Sequence, residues 1–215
     1  MTRSLIPNLL YVVVVSSVTT CSAVMAEKNA ALEPKLTQVG KATVIESFDS
    51  PLSKTAAAVK GEWKVVDGTL VAKELAADKH AAVLNYQKPN RNSVVRFSFK
   101  IDGSTEGLHF SLNHAKGHLF RVVVTPTGLS INLDKDKKDP ASKAKVLATA
   151  KGKFEQGQWY TMLVEMVHDK VSVQTDNGLA VEASDPKLDT DKPNYRFVMK
   201  GDSLSIDDLE IWELK

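Results

Sequence analysis

The side chains best suited to chemistry are concentrated near the middle of the chain, between residues 109 and 120. Polar and apolar residues alternate there, which is typical of a β-strand with one face on a core. If residues 114–117 close a hairpin, one face gathers His109, Ser111, Asn113, His118 and Phe120. Imidazoles transfer protons near neutral pH, and hydroxyl and amide groups bind polar ligands. The spacing therefore predicts a polar platform for a hydroxylated ligand.

Three charged residues on other predicted strands extend this platform. Glu165 lies on the polar face of a strand that begins near Trp159, and it is a further catalytic candidate. Arg96 and Lys100 lie on the polar face of a third strand. The alternative interpretation is a solvated outer face, which is ordinary for antiparallel sheets. The candidate ligand-binding residues are Arg96, Lys100, Ser111, Asn113 and Phe120.

Acidic residues at the two ends of the predicted domain are candidate ligands of a structural metal ion. Asp207 and Asp208 interrupt the alternation of the last strand, which indicates a β-bulge, and Glu46 belongs to the first strand. Ca2+ prefers such carboxylate oxygens, so these three residues are assigned to a structural calcium ion. Turn and edge roles are the alternative. The histidine spacings match no zinc motif, and no other cofactor is predicted.

The elements that position these residues are short β-strands. In the segment 157–178, a two-residue turn at His168 and Asp169 places Met166 opposite Val171 and makes one face apolar. Asp67 and Gly68 give a second hairpin signal. About a dozen such strands, with little helical periodicity beyond one or two helical turns at 54–60, indicate a sandwich or barrel. Trp63, Trp159 and Trp212 are predicted to pack in the core or at sheet ends.

Composition excludes several classes of function. The 215 residues are 43% hydrophobic and 25% charged, which is enough for one globular domain over residues 42–215. The formal net charge of +2 is too small for a nucleic-acid-binding surface. Lysines between residues 135 and 145 alternate with acids, so that segment is predicted to be a solvated loop.

The N-terminal residues resemble an export signal. Arg3 precedes an apolar run and small residues up to Ala26, so residues 1–26 are predicted to be a signal peptide and 27–41 a linker. The protein is then secreted or periplasmic, with no membrane span after cleavage. The only cysteine, Cys21, would be removed, leaving a domain without a disulfide. A lipid anchor at Cys21 is the alternative.

Four motifs resemble one known family. They are the segments 61–70, 117–122 and 157–160 and the ending 206–212, with sequences GEWKVVDGTL, GHLFRV, GQWY and IDDLEIW. Together they are similar to the 3-keto-disaccharide hydrolase family, whose members are all-β, concanavalin A-like jelly-roll sandwiches of two antiparallel sheets. The resemblance implies a carbohydrate ligand and cleavage of glycosidic bonds in 3-keto-disaccharides or related glycosides. The alternatives are a non-catalytic glycan-binding or cell-surface module and a purely structural sandwich.

The resemblance implies one of two cleavage mechanisms. Ordinary glycoside cleavage uses two carboxylates across the scissile bond, and no partner for Glu165 can be assigned. A 3-keto sugar can instead be cleaved by elimination, in which His109 or His118 removes a proton made acidic by the ketone. Family members typically carry Gly-Tyr-Glu where this chain has Gly117 followed by His118 and Leu119. That difference favours the non-catalytic alternative.

Overall fold

The computed structural model describes residues 32–214. The predicted signal peptide, its cleavage site and Cys21 lie outside this range. The strands are β1 (Val44–Glu46), β2 (Ala56–Lys60), β3 (Glu62–Val66), β4 (Thr69–Lys73), β5 (Ala82–Tyr86), β6 (Asn92–Asp102), β7 (Gly107–His114), β8 (Gly117–Thr125), β9 (Gly128–Leu133), β10 (Lys145–Lys151), β11 (Trp159–Val167), β12 (Lys170–Thr175), β13 (Ala180–Ser184), β14 (Tyr195–Lys200) and β15 (Ser203–Leu214). Helical structure in residues 32–214 is limited to two short 3-10 turns, Ala76–Asp78 and Pro186–Leu188. No helix in this part of the chain is long and apolar enough to cross a membrane.

The strands form two antiparallel sheets, which confirms the predicted all-β jelly-roll sandwich. Sheet I has the order β13-β12-β11-β6-β15-β4-β3, and β1 also pairs with β15. Sheet II has the order β10-β9-β8-β7-β14-β5-β2. Strands that are distant in sequence are therefore neighbours, and β14 lies between β5 and β7.

The predicted hairpin registers are confirmed. Met166 pairs with Val171 and Glu165 with Ser172 across the turn between β11 and β12. The turn between β3 and β4 has φ values of 49° at Asp67 and 72° at Gly68, as a type I′ turn requires. The predicted bulge in the last strand is present as a register shift between Asp207 and Glu210.

The core lies between the two sheets and is rich in aromatic side chains. Phe97 of sheet I meets Phe110 and Phe197 of sheet II, with ring centroids 5.7 and 5.2 Å apart. All three are at most 1% exposed. Burial of such rings is the dominant favourable term in folding. The described domain contains no cysteine, so its stability rests on this packing and on hydrogen bonding rather than on a disulfide.

One local prediction is wrong. The predicted helical turns at 54–60 are replaced by β2, because its backbone completes the edge of sheet II by pairing with β5. The tryptophan predictions agree with the structure, since Trp63 is buried in the core and Trp159, which is 40% exposed, lies at a sheet end. Trp159 stands at the start of β11, and the Lys100 ammonium lies 5.5 Å from its ring centroid. A cation over its face replaces core packing at this site.

The described part of the predicted linker is attached to the domain. Residues 32–41 contain no helix or strand, as expected. However, the backbone N–H groups of Lys35 and Leu36 donate to the two carboxylate oxygens of Glu165 at 2.9 and 2.8 Å. Gln174 Nε2 also donates to the Glu33 carbonyl at 3.0 Å. This segment therefore covers part of the outer face of sheet I.

Candidate functional site

A row of polar side chains crosses the outer face of sheet II. The strand registers place its members directly opposite one another on five adjacent strands. From β5 to β9 the row is Asn85, Arg196, Ser111, Arg121 and Asn132. Adjacent strands lie about 4.8 Å apart, so Ser111 has one arginine on each side. The row brings two cations and three neutral hydrogen-bonding groups to one surface.

This row borders a cavity of about 250 Å³, which we call the basic cavity. Ser111, Arg121, Arg196, His109 and His118 line it. Ser111 is 5% exposed, and its hydroxyl has no hydrogen-bond partner among residues 32–214. A buried hydroxyl without a partner costs free energy, so this group is poised to gain a partner from a ligand.

Arg196 organises the end of the row nearest β5. Its Nε donates to Asn85 Oδ1 at 3.1 Å, and its Nη1 lies 2.8 Å from His118 Nδ1 and 3.5 Å from Asn113 Oδ1. His118 Nδ1 also lies 3.0 Å from Asn113 Oδ1. A guanidinium only donates and an amide oxygen only accepts, so the two contacts favour different tautomers of the imidazole, and Arg196, Asn113 and His118 form one hydrogen-bonded cluster.

Arg121 organises the other end through Asp134. Its Nε donates to Asp134 Oδ2 at 3.2 Å, and its Nη2 forms a second, very short contact with Asp134 Oδ1. Asp134 is the only carboxylate among the described side chains that line the basic cavity, and it pairs with Arg121. Lys200, a third cation of the lining, pairs with Glu106 at 2.7 Å. Arg196 is therefore the lining cation without a carboxylate partner in residues 32–214.

Burial and these cations depress the basicity of the site. Burial, and secondly the Arg121 charge, lower the pKa of His109 below its usual 6.5. Burial, and secondly Arg196, lower the pKa of His118 in the same way. The pKa of Arg196 is itself lowered by burial and by repulsion from Arg121. Both histidines are therefore neutral at neutral pH, and further positive charge is disfavoured here.

A second cavity of about 410 Å³ adjoins the first and shares His118 and Asp134 with it. Its far wall is the segment from Pro186 to Thr190. Lys192, which is 2% exposed, fixes this segment because its ammonium donates to the carbonyls of Thr190 at 2.9 Å and Arg91 at 2.6 Å. Burial lowers the Lys192 pKa to about 8. The two cavities form one elongated depression.

Four predicted site residues meet at this depression, and one does not. His109, Ser111, Asn113 and His118 are brought together on the outer face of sheet II. The prediction that Phe120 shares this face is wrong, because Phe120 is 0% exposed in the core. A bulge pairs Leu112 with Phe120 but Asn113 with His118, so the alternation of β8 is interrupted.

The other predicted ligand-binding and catalytic residues lie on sheet I. Glu165 is 0% exposed and is engaged with the backbone of Lys35 and Leu36, so it does not join His109 or His118. Arg96 pairs with Glu210 and lies over Trp212 at 5.7 Å. Lys100 pairs with Asp102 at 3.5 Å. The registers of the hairpins did not reveal that β6 and β11 belong to the sheet opposite β7 and β8.

The predicted calcium ligands are close in the fold but have other partners. Glu46 accepts a hydrogen bond from the Tyr86 hydroxyl, and Asp207 Oδ1 accepts one from the Asp208 backbone N–H at 2.7 Å. Within residues 32–214, no group of three or more His, Cys, Asp or Glu side chains is arranged to hold a metal ion. The geometry gives the calcium prediction no support.

Glu46 and Asp208 instead line a separate depression of about 380 Å³ on sheet I, which we call the acidic groove. Its charged lining residues are Glu46, Arg96, Asp176, Asp208 and Glu210. The two outer faces of the sandwich thus carry depressions of opposite charge.

The site residues that sequence reasoning missed include Asn85, Arg121, Asn132, Asp134 and Arg196. Arg121 and Asp134 had a usable signal, because Arg121 alternates with the apolar residues of β8 and Asp134 directly follows β9. Asn85 and Arg196 had none, since only the tertiary fold places β5 and β14 beside β7.

Comparison with solved structures identifies the fold. The carbohydrate-binding module CBM66 from Bacillus subtilis superposes with a TM-score of 0.61 at 11% identity, covering 74% of this chain and 96% of the module. SCLam, a non-specific endo-beta-1,3(4)-glucanase of family GH16, gives 0.60 at 11% identity, covering 83% and 94%. The exoplasmic domain of VIP36 in its Ca2+/mannose-bound form gives 0.54 at 13% identity, covering 74% and 83%. The fold is that of concanavalin A-like carbohydrate-binding and glycosidase modules.

The sequence also matches a family model over residues 46–207, and its description is 3-keto-alpha-glucoside-1,2-lyase-like domain. The match covers most of the chain, so this protein belongs to that family, which confirms the resemblance. A search of curated proteins gave no sequence match.

Proposed function

We propose that the domain binds a carbohydrate in the depression on the outer face of sheet II. The observation that carries this proposal is the buried Ser111 hydroxyl without a partner, set between Arg121 and Arg196 and beside the basic cavity. Sugars present many hydroxyl groups, and fixed amide, hydroxyl and guanidinium groups are suited to bind them. Membership of a carbohydrate-related family and the carbohydrate-binding neighbours support the same ligand class.

The shape of the depression supports a ligand larger than one sugar ring. The two adjoining cavities, of about 250 and 410 Å³, together reach the size usual for small-ligand sites. His118 stands between them and lines both. A disaccharide or longer glycan is therefore the proposed ligand.

The test is a thermal-shift and calorimetry panel of neutral and charged oligosaccharides, including 3-keto glycosides, with the full chain. At least one glycan class is expected to raise the melting temperature of the wild type. Asn113→Ala, which removes an acceptor of Arg196, is expected to abolish the shift, whereas Ser98→Ala in the acidic groove is expected to keep it. Absence of binding across the panel, or equal loss in both variants, would reject the proposal.

Cleavage of 3-keto glycosides is a second candidate function, and His109 is the observation that favours it. His109 lines the basic cavity, has a lowered pKa and has no hydrogen-bonded ring nitrogen within residues 32–214. It is therefore a neutral imidazole available to accept a proton. The family description, which names a lyase, agrees with this chemistry.

The reaction is an elimination followed by hydration. His109 takes the proton from C2, beside the 3-ketone, and the C–H electron pair forms a C1=C2 double bond. The C1–O bond breaks with its electrons on the leaving oxygen, which takes a proton from water. Addition of water across the double bond at C1 completes net hydrolysis of a 3-keto-disaccharide. This route needs no pair of carboxylates.

Proton exchange at C2 of a 3-keto glycoside in D2O, followed by NMR together with aglycone release, tests this candidate. His109→Asn is expected to abolish both exchange and release. His168→Asn, in the turn between β11 and β12 of the other sheet, is the matched control and is expected to retain both. Binding without exchange in the wild type would leave the domain as a non-catalytic glycan-binding module.

Export is the proposed location, because residues 1–26 have the composition of a signal peptide. Mass spectrometry of the protein recovered from outside the cytoplasm is expected to show a chain that begins at Glu27. An intact Met1 terminus would contradict this, and a lipid mass on Cys21 would establish the alternative anchor.

A further inference from the structure

We propose that the glycan bound on sheet II is anionic, with a carboxylate or sulfate group that sits over Ser111 between Arg196 and Arg121. This inference rests on the proposed carbohydrate function and names the substrate class of the same site. It starts from the charges of the lining, in which Arg121 pairs with Asp134 and Lys200 with Glu106, whereas Arg196 has no carboxylate partner in residues 32–214.

Arg196 lacks a negatively charged partner. Its hydrogen-bond partners are the neutral Asn85, Asn113 and His118, at 3.1, 3.5 and 2.8 Å, and it forms no salt bridge within residues 32–214. A partly buried guanidinium without a counter-ion has lost hydration that neutral partners replace incompletely. An anion at this position would restore the missing charge balance.

Arg121 retains an N–H donor, Nη1, for the anion proposed over Ser111. Its Nε and Nη2 are directed to Asp134, while its Nη1 has no hydrogen-bond partner in the described part of the chain. Ser111 pairs across the strands with Arg121 on one side and Arg196 on the other. With strands about 4.8 Å apart, the two arginine backbones are roughly 10 Å apart, a separation that one anion between two extended arginine side chains can bridge.

The buried Ser111 hydroxyl is an independent observation that points to a ligand. It is 5% exposed and without a partner in residues 32–214, although it borders the cavity. An oxyanion accepts hydrogen bonds from a hydroxyl and from two guanidinium groups, whereas a second cation would be repelled. The arrangement therefore discriminates between charged and neutral forms of one sugar.

A saccharide fits better than a nucleic acid. The chain carries a net charge of only +2, and the described cations of the cavity are confined to one depression rather than a long face. Asn85 and Asn132 at the ends of the row are suited to hydroxyl groups beside the anion. The depression thus combines one anion position with neutral hydrogen-bonding positions.

Calorimetry with matched probes tests the inference. The probes are oligoglucosides of two to four units, their C6-oxidised glucuronate counterparts and their 6-O-sulfated counterparts, measured with the full chain at low and high NaCl. At least one charged series is expected to bind about tenfold or more tightly than the neutral series, with a preference that falls as salt rises. The carboxylate and sulfate arms distinguish the two kinds of anion.

Three variants test whether Arg196 is the source of the preference for charged probes. Arg196→Gln is expected to remove the preference for the charged probes, while Arg196→Lys, which keeps the charge, retains a salt-dependent preference. Arg96→Gln, which removes one arginine from the opposite sheet, is the matched control and keeps the wild-type preference. Thermal unfolding of each variant verifies that it is folded.

The outcomes separate the two proposals. Equal affinity for neutral and charged probes overturns the anionic assignment and leaves carbohydrate binding intact. A charge preference that persists in Arg196→Gln overturns the proposed position of the anion. Absence of binding by every probe, neutral glycans included, rejects the carbohydrate function itself.

Discussion

The two outer faces of the sandwich use similar residue types in opposite ways. On sheet I, Arg96 pairs with Glu210, Lys100 pairs with Asp102, and Glu165 is covered by the segment before β1. On sheet II, Arg196 is surrounded by neutral groups and the Ser111 hydroxyl has no partner within residues 32–214. The first face satisfies its polar groups within the protein, whereas the second leaves them to an external partner.

This difference shows why residue type alone is a weak guide to a site. A buried carboxylate such as Glu165 is commonly interpreted as catalytic, yet its two oxygens are occupied by backbone N–H groups. A serine attracts little attention, yet Ser111 is the group whose hydrogen-bonding capacity is left unused. Whether the polar groups of a face have hydrogen-bond partners within the protein therefore distinguishes a structural face from a candidate binding face.

The largest effect is expected for Glu165→Gln on sheet I. The amide keeps one acceptor but turns an NH2 group toward a backbone donor, so the free energy of unfolding should fall by about 3 kcal/mol. Chemical denaturation measures this loss. Hydrogen exchange should accelerate at the amides of Lys35 and Leu36, while glycan binding on sheet II stays unchanged.

Glu182→Gln, at an exposed position on β13 two strands from β11, serves as the control. Its amide oxygen still accepts from Ser172, so stability is expected to change by less than about 0.5 kcal/mol. If Glu165→Gln keeps its stability but loses glycan turnover, the structural role assigned to Glu165 is wrong and its catalytic role returns.

Smaller changes in the free energy of unfolding, opposite in sign to each other, are expected when the buried serines Ser111 and Ser172 are replaced. Ser111→Ala removes a hydroxyl without a partner, so the free energy of unfolding should rise by up to about 1 kcal/mol while glycan affinity falls. Ser172→Ala on sheet I removes a hydroxyl that donates to Glu182 Oε1 at 3.4 Å, so stability should fall by about 1 kcal/mol without a change in affinity.

Thermal denaturation measures the stability of both variants, and calorimetry measures their glycan affinity. Matching stability losses in the two proteins would mean that Ser111 is satisfied in solution, and the contrast between the faces would then disappear at this position.

The smallest expected effect is the change in folding stability with pH. The pKa values of His109 and His118 are lowered in the folded state, so the unfolded chain binds more protons just below pH 6.5. Stability from these groups is therefore present above pH 6.5 and is lost as pH falls toward their folded pKa values. The double variant His109→Asn, His118→Asn should show a smaller fall in melting temperature between pH 7.5 and 5.5 than the wild type; identical pH profiles would contradict the assignment.

Local chain patterns were sufficient to predict much of the structure. The alternation in β11 and β12 and the turn at Asp67 and Gly68 gave correct registers, because neighbours in a hairpin are also neighbours in sequence. The same logic placed Asn113 opposite His118. It failed at Phe120, since a bulge is a one-residue irregularity that alternation does not announce.

The sequence by itself determined the all-β class, the family and the strand faces that carry His109 and Ser111, since these depend on local periodicity and short motifs. Only the tertiary structure decided that Glu165 faces away from the histidines and that Arg196 and Asn85 join them. The physical reason is that sheet order arises from pairing between distant strands, so β14 enters between β5 and β7 without a local signal. Which polar groups remain without a partner is likewise settled only when both sheets are complete.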